Sequence, residues 1–420
     1  MNEAGFQAQF ESATLAYQPA FRADDRPVVV SIADDAESPA GDALLCGLVN
    51  QLARTHRHLV LVGDLDRPLL CRDPFGKKRL LEATAGNAKA INPLLAVDMV
   101  ERAPKADAIA HLSIGGRTEN SLGCAGWRAS AGKEAKTGES ADDVWGAMLA
   151  STLGAWFAFM RLLGKNPQLN GTYSLWNYGK AGAPDGPRLD CMPDLGNVLQ
   201  VGAGGVGAAL DYWLAMVRPT GHWVIVDGDS VEVGNLNRQL IFNAADAGYP
   251  DGDAANKAEV AAKRLGESAT ASACWYGDNQ GIVDASYDVV LALANERGAR
   301  EALQDRGGGV LLHATTSANH QAQLHRHLLG IDDCIRCRLP GAVAQTACGT
   351  ASVTETTSDA ALPYLSGLAG LLLMPALARL SSGQLADDNS NLALVDLGGD
   401  LVVQQSLRLE CRESCVHRRG

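Results

Sequence analysis

Apolar residues in this chain come in short runs, each closed by glycines or acids, and the runs repeat in a fixed order. Val28-Val-Val-Ser-Ile32 reads as a buried strand, 43–54 as a helix, and Leu59-Val-Leu-Val62 as a second strand ending at Asp64-Leu-Asp66. The same order returns at 198–201, 206–217 and 224–226, where the second strand ends at Asp227-Gly-Asp229. We read the recurrence as an internal pseudo-repeat. In the first half, 1–22 reads as an amphipathic helix with Phe6, Phe10, Leu15 and Tyr17 as its apolar positions, and 106–114 as a third strand. Residues 144–163 read as a buried helix whose Trp145, Trp156, Phe157 and Phe159 belong to the core, 115–143 as a loop and 164–194 as a linker. In the second half, a helix at 255–265 and strands near 270–276, 288–293 and 310–314 predict an α/β fold with a parallel, doubly wound sheet. Stretches 320–338, 392–395 and 401–409 extend that sheet as antiparallel strands, and 362–380, apolar nearly all round, is a buried helix. The predicted division is 1–190 and 191–420.

Composition narrows the class without naming a function. The chain has 420 residues, 46% hydrophobic and 20% charged, enough for two globular halves. A net charge of −12 argues against nucleic acid as a partner, because a phosphate backbone rewards Lys and Arg. No apolar run is expected to reach the ~18 residues of a membrane span, and 1–26 lacks the apolar core of a signal peptide. These features favour the cytoplasm, where ten cysteines are thiols or metal ligands rather than a disulfide framework.

The most informative chemistry lies in 198–257. Gly202, Gly204, Gly205 and Gly207 sit where a strand becomes a helix, so the backbone can turn tightly and approach a phosphate at the helix N-terminus. Dinucleotide-binding oxidoreductases share that pattern, and Asp227 suits ribose hydroxyls in either case. Asn235, Arg238, Gln239 and Lys257 tip the balance, since phosphoryl or nucleotidyl transfer needs cations and amide donors against growing negative charge.

The stretch Asp227-Gly-Asp-Ser-Val-Glu-Val-Gly-Asn-Leu-Asn-Arg-Gln239 resembles the adenylation signature of the E1-like family, which includes ThiF, MoeB and the ubiquitin-activating enzymes. The resemblance covers 195–420 well and 20–190 in outline. It implies two Rossmann-like E1-type adenylation halves in one chain, a pseudo-dimer that removes the need for a homodimer without forbidding one. It further implies ATP with Mg2+ as the substrate complex, with Asp227 on the ribose, Asp229 near the nucleotide or its metal, and Asn235, Arg238, Gln239 and Lys257 on the phosphates. The implied reaction is attack of a C-terminal glycine carboxylate on the α-phosphate, giving an acyl adenylate and pyrophosphate.

One position departs from the pattern. Val289-Val-Leu-Ala-Leu-Ala-Asn295 matches a strand that in the family ends in Asp-Asn, and the Asp that assists Mg2+ is here Ala294. Two accounts follow: an introduced substitution that traps a substrate complex, or a naturally impaired enzyme. The first half also departs, with Ser31-Ile-Ala-Asp-Asp35 where glycines would be expected, and so resembles the inactive half of two-part E1 enzymes. In the family an arginine from that half reaches the nucleotide; Arg22 is the candidate and Arg26 the second choice.

Cys334-Ile-Arg-Cys337 and Cys411-Arg-Glu-Ser-Cys415 pair four thiols in the spacing of a closed, structural Zn2+ site, with His417 as a spare ligand. Cys348, in a polar Thr/Ser stretch that reads as a loop, stands apart. The resemblance implies that it accepts the activated protein as a thioester, a reaction suited to a nucleophilic thiolate that is also a good leaving group. Cys46, Cys71, Cys124, Cys191 and Cys274 read as small core residues or inert thiols.

The implied partners are a ubiquitin-like protein with a C-terminal glycine and an E2-like conjugating protein. The two-half build in a chain of this length resembles E1-like proteins of bacterial ubiquitin-like conjugation operons, some of which serve in defence against phage. Alternatives are activation of a sulfur carrier or peptide without a thioester, a non-catalytic pseudo-E1 scaffold, and an NAD-dependent oxidoreductase.

Overall fold

The computed structural model describes residues 1–19, 21–104, 107–116, 118–135, 143–179, 185–306, 309–328, 331–338, 362–384, 390–411, 413 and 415. The first half contains α1 (Glu3–Tyr17), β1 (Val28–Ile32), α2 (Pro39–Leu52), β2 (His58–Val62), α3 (Asn87–Ile91), β3 (Ala96–Val100), β4 (Ala110–Ile114), β5 (Ser121–Ala125), β6 (Arg128–Ala131), α4 (Trp145–Leu162) and β7 (Gly171–Ser174). The second contains β8 (Asn197–Val201), α5 (Gly205–Val217), β9 (His222–Val226), α6 (Lys257–Leu265), β10 (Ala269–Ser272), α7 (Gln280–Asp284) and β11 (Val289–Ala292). It continues with α8 (Arg297–Arg306), β12 (Val310–Thr316), β13 (Gln321–His327), α9 (Ile335–Arg338), α10 (Pro363–Ser381), β14 (Leu392–Asp396) and β15 (Val403–Leu407).

Each half builds one sheet, and the two sheets have the same plan. The first runs β3-β2-β1-β4-β5-β6-β7 and the second β10-β9-β8-β11-β12-β13-β14-β15. In both, the first five strands pair in parallel and those beyond pair antiparallel. The pseudo-repeat expected from the β-α-β order is therefore present at the level of topology, with β15 as the added strand.

Several local readings are corrected. Residues 115–143 hold β5 and β6 rather than only a loop, and 164–194 holds β7. These strands are built largely from Gly, Ala and Ser and lack the β-branched runs that advertise β1 and β9. Strand β3 also went unread, because its outer-edge sequence exposes Asp98 and Met99. Residues 320–338 are strand only to His327, after which α9 follows. The expectation that no helix is apolar enough for a membrane span is corrected by α10. It has 19 residues and a mean hydropathy of 1.3, and 89% of its apolar window is buried inside the protein.

The halves join through α2, α4, α5 and α10. Across the junction a Cβ at Gly47 of α2 would lie 3.2 Å from the Trp213 ring, and one at Gly367 of α10 would lie 3.0 Å from Gln51 Oε1; within the second half the Trp213 indole donates to the Gly367 carbonyl at 2.8 Å. Gly370 lets α10 approach α5 closely, since a Cβ there would lie 2.6 Å from the Leu210 amide nitrogen. One continuous core includes Leu48 and Leu153 of the first half with Leu210 and Leu368 of the second.

Candidate nucleotide site

The turn after β8 opens a cavity of about 900 Å3 at the carboxyl ends of the second sheet, where β9 and β11 diverge on either side of β8. This is the switch point at which open α/β sheets bind ligands. Two of the four glycines are required by the fold. Gly202 has φ +105° and a Cβ there would sit 2.5 Å from the Ala294 amide nitrogen, while a Cβ at Gly207 would sit 2.1 Å from the Gly202 carbonyl oxygen. Gly204 differs: a Cβ there would meet nothing within 4 Å, so no protein atom demands glycine. It lines the cavity at the N-cap of α5, where an added methyl group would occupy space open to a ligand.

At the end of β9, Asp227 is fastened by backbone amides. Its Oδ2 accepts from Ala203 N at 2.6 Å and its Oδ1 from Asp229 N at 2.9 Å. Burial raises its pKa, opposed chiefly by the charge of Lys257. Asn256 caps α6 and also donates to the carbonyls of Asp227 and Asp229, at 2.9 and 3.0 Å. This places Lys257 at the start of the helix, where its buried ammonium pairs with Asp229 at 2.7 Å.

Asn235, Arg238 and Gln239 come from an irregular segment that the other half holds in place. Arg238 donates to Gly234 O and to Asn235 Oδ1, both at 2.9 Å. Gln239 is 2% exposed, and its Oε1 has no hydrogen-bond partner among the described residues, although it lines the cavity. From the first half, fully buried Arg54 at the end of α2 donates to the carbonyls of Leu236, Leu240 (2.7 Å) and Phe242 (3.0 Å). Thr14 of α1 accepts from Asn237 Nδ2 at 3.0 Å.

Ala294 and Asn295 reach the same cavity from the end of β11. The amides of Leu293 and Ala294 both donate to the Val201 carbonyl, at 2.8 and 2.7 Å, so the Ala294 backbone lies against the glycine turn. The far wall was not read from the sequence: Thr315 of β12, Gln323 of β13, Ser366 of α10 and, at the mouth, Trp275. Trp275 is 53% exposed and its indole covers Gly228, where a Cβ would approach to 2.8 Å. Lining cations (Arg238, Lys257, Arg300) and carboxylates (Asp227, Asp229, Glu296) are equal in number among the described residues.

Gly202, Gly204, Gly205, Asp227, Asp229, Asn235, Arg238, Gln239, Lys257, Ala294 and Asn295 all line this cavity, with Gly207 one turn behind it. Arg22 does not. Its guanidinium donates to the carbonyls of Pro19 and Phe21, and Arg26 pairs with Asp24 and Asp107. The first half reaches the site through Arg54 and Thr14 instead. Cys348 and His417 lie outside the described residues.

Cys334, Cys337, Cys411 and Cys415 converge as expected, with all four sulfurs within 4.8 Å of one another. Zn–S bonds of ~2.3 Å in a tetrahedron place sulfurs ~3.8 Å apart, so the cluster is compatible with zinc. Burial and neighbouring thiols push the Cys334 pKa up to about 11, and coordination to a cation would oppose that rise.

Residues 195–384 match the model of the ThiF family. Over 85 residues the chain is 44% identical to a NEDD8-activating enzyme E1 catalytic subunit from Arabidopsis thaliana, covering 20% of this chain and 17% of that one. It is 29% identical over 238 residues to an uncharacterized protein, y4jF, from Sinorhizobium fredii, covering 53% and 43%. The chain thus spans less than half the length of either curated relative. Among solved structures it is similar to E. coli MccB with MccA-N7isoASN, at a TM-score of 0.41 and 18% identity, covering 53% of this chain and 67% of that one. A structure of the microcin C7 biosynthetic enzyme MccB with N-formylated MccA gives a TM-score of 0.40 at 16% identity, covering 70% and 96%. The glycine turn, the acidic end of β9 and Lys257 of α6 all fall within the segment that matches the ThiF family model.

Proposed function

We propose that this chain is an E1-like activating enzyme that uses ATP with Mg2+ to adenylate the C-terminal glycine of a ubiquitin-like protein. The reading rests on one observation: Gly204, Asp227, Asn235, Arg238, Gln239 and Lys257 converge on a single cavity at a sheet switch point. Each has a part. The free amides at the start of α5 and the open space at Gly204 receive phosphate. Asp227 takes the ribose, and the buried Oε1 of Gln239 accepts from a hydroxyl or amino group of the nucleotide. Arg238 and Lys257 face the phosphates, with Lys257 exchanging Asp229 for a phosphate oxygen when the nucleotide binds. Because lining cations and carboxylates balance, the cavity suits a nucleotide whose charge is already reduced by its metal rather than a bare tetra-anion.

The glycine carboxylate then attacks the α-phosphorus, the bond to the β-phosphate oxygen breaks, and pyrophosphate leaves as the acyl adenylate forms. Arg238 and Lys257 stabilise the charge that grows on the departing group. Cys348 displaces AMP to give a thioester, from which an E2-like protein takes the acyl group. The four-cysteine cluster holds a structural Zn2+ that ties Cys411 and Cys415 to α9. The first half is the inactive partner of the pseudo-dimer, and the working location is the cytoplasm. Ala294 leaves one metal-facing carboxylate missing and slows adenylation.

ATP–pyrophosphate exchange tests this reading. Ala294→Asp raises exchange at least tenfold, and Lys257→Ala abolishes it in that background. No exchange in either form removes the adenylation reading. A reducible thioester lost in Cys348→Ala, with exchange intact, separates this enzyme from one that activates a sulfur carrier or peptide without a thioester.

A further inference from the structure

A second cavity, of about 850 Å3, lies across the junction of the halves and away from the glycine turn. One wall is a hairpin of the first half and the other is α6. The hairpin closes through Leu69 N to Lys78 O at 2.9 Å and Leu80 N to Arg67 O at 3.0 Å. It turns at Gly76, with φ +78°. Fully buried Asp42 of α2 pins its base, accepting from Arg67 Nη2 at 2.5 Å and from Leu70 N at 2.8 Å. The segment is therefore a preformed platform rather than a loose loop.

That platform presents cations. Five lining residues are basic (Arg72, Lys77, Lys78, Lys263, Arg264) against three acids (Asp73, Asp246, Glu259), in a chain whose net charge is −12. Two of the acids are engaged within the protein. Asp246 pairs with Arg264 at 2.8 Å, and the Asp73 oxygens accept from Lys77 N and Asn87 Nδ2, each at 2.9 Å. The Arg264 guanidinium also lies 4.5 Å over the Phe75 ring, which fixes it at the cavity wall. Arg72, Lys77, Lys78 and Lys263 make no ion pair with any described residue. A concave surface that gathers four unpaired cations from two elements suits a ligand with several negative charges.

We infer that this junction cavity binds a phosphate-bearing small molecule carrying two or more negative charges, held by Arg72, Lys77 and Lys78 of the hairpin and Lys263 of α6. Arg72 can engage two phosphate oxygens at once, and the lysines supply point charges around them. The ligand would bridge the halves, and it would also hold the helix that carries Lys257. Lys263 lies six positions after Lys257, about 9 Å along the axis of the same helix. The inference does not depend on the adenylation reading.

Titration calorimetry of the full chain with inorganic tripolyphosphate in low-salt buffer tests it. The expected result is one site per chain, weakened by added salt, retained in Lys257→Ala, and weakened at least tenfold in the double variant Lys77→Glu, Lys263→Glu. The milder pair Lys77→Gln, Lys78→Gln gives a smaller loss in the same direction and keeps the parent melting temperature. Absence of binding, binding lost in Lys257→Ala, or binding unchanged in both double variants overturns the site.

Discussion

Arg54 touches nothing in the nucleotide cavity, yet the structure makes the cavity depend on it. The residue is 1% exposed and its guanidinium faces carbonyl oxygens rather than a carboxylate: those of Leu236, Leu240 and Phe242. Burial is the main cause that lowers its pKa, to about 9, and a charge at such a depth persists only because the fork is fully occupied. Arg54→Met keeps much of the volume and removes the charge together with its hydrogen bonds. The carbonyls of Leu236 and Phe242 and the Asn50 Oδ1 then lose a donor at ~1–3 kcal/mol each, while Leu240 O keeps Asn50 Nδ2; partly offset by relief of the buried charge, the net loss is on the order of 3 kcal/mol. Because the carbonyls flank Arg238 and Gln239, the cost appears in two assays. Urea denaturation shows the stability loss, and calorimetry with ATP and Mg2+ shows weakened or absent binding at a temperature where the variant is still folded. Arg54→Lys does not restore binding, since one ammonium cannot span three carbonyls. A methionine variant within ~0.5 kcal/mol of the parent, with unchanged nucleotide affinity, would refute the argument.

Asp211 of α5 is fully buried, and burial pushes its pKa up to about 8, so the folded state holds a proton that the unfolded carboxylate releases near 3.8. The contribution of Asp211 to stability therefore declines from about pH 4 to pH 8, by ~4 kcal/mol at pH 7; the difference between the parent and Asp211→Asn in pH-dependent denaturation reads it, and parallel curves would contradict it. His56, His320 and His327 are held near 4 mainly by burial, below the ordinary 6.5. Their contribution to stability is lost as pH falls from 6.5 toward 4, by up to ~3 kcal/mol per histidine, and a melting temperature of Asp211→Asn that stays level across that range counts against it. Trp275 sits at the mouth of the nucleotide cavity, so ATP with Mg2+ changes its fluorescence; an unchanged difference spectrum between the parent and Trp275→Phe removes it from the site. Metal analysis of the purified chain gives about one zinc per chain, in keeping with a single four-thiol site, and Cys411→Ser lowers it toward zero; full occupancy in the variant rejects that ligand set.

The parts of this fold legible in the sequence are those whose burial is dictated locally. Strands β1, β2, β8, β9 and β11 are apolar runs covered on both faces, and helices α4 and α10 are apolar nearly all round. Strands β5, β6 and β7 are strands because their neighbours pair with them, and Ser-Leu-Gly-Cys-Ala carries no such instruction by itself. The site divides in the same way. Asp227 through Lys257 occupy one contiguous stretch after β9, so their order in the sequence already implied proximity. Thr315, Gln323, Ser366 and Trp275 meet them only through sheet order and helix packing, and Arg54 acts on backbone carbonyls, which leave no side-chain motif. Arg22 is suggested by residue type and approximate position alone, and its Nη1 donates to the nearby carbonyls of Pro19 and Phe21.

The two halves share a topology, and the structure gives a physical role to the half that lacks a glycine turn after its first strand. The segment 233–242 has little regular structure of its own, being a short turn of helix followed by irregular chain. Its carbonyls and amides are partnered from the other half by Arg54, by Asn50 donating to Leu240 O at 3.2 Å, and by Thr14 of α1. The next stretch is tied in the same way, Ala244 N donating to Ala90 O of α3 at 3.0 Å. The corresponding stretch of the first half, the hairpin after β2, reaches in the opposite sense and packs against α6. Each half therefore contacts the segment that follows its partner's second strand, although the hairpin is pinned at its base by Asp42 of its own half. A second half expressed alone would keep its glycine turn, but the segment bearing Asn235, Arg238 and Gln239 would lose the donors that hold it in register. On the proposed reading the first half needs no chemistry of its own: its contacts hold the segment that carries Asn235, Arg238 and Gln239 in one place.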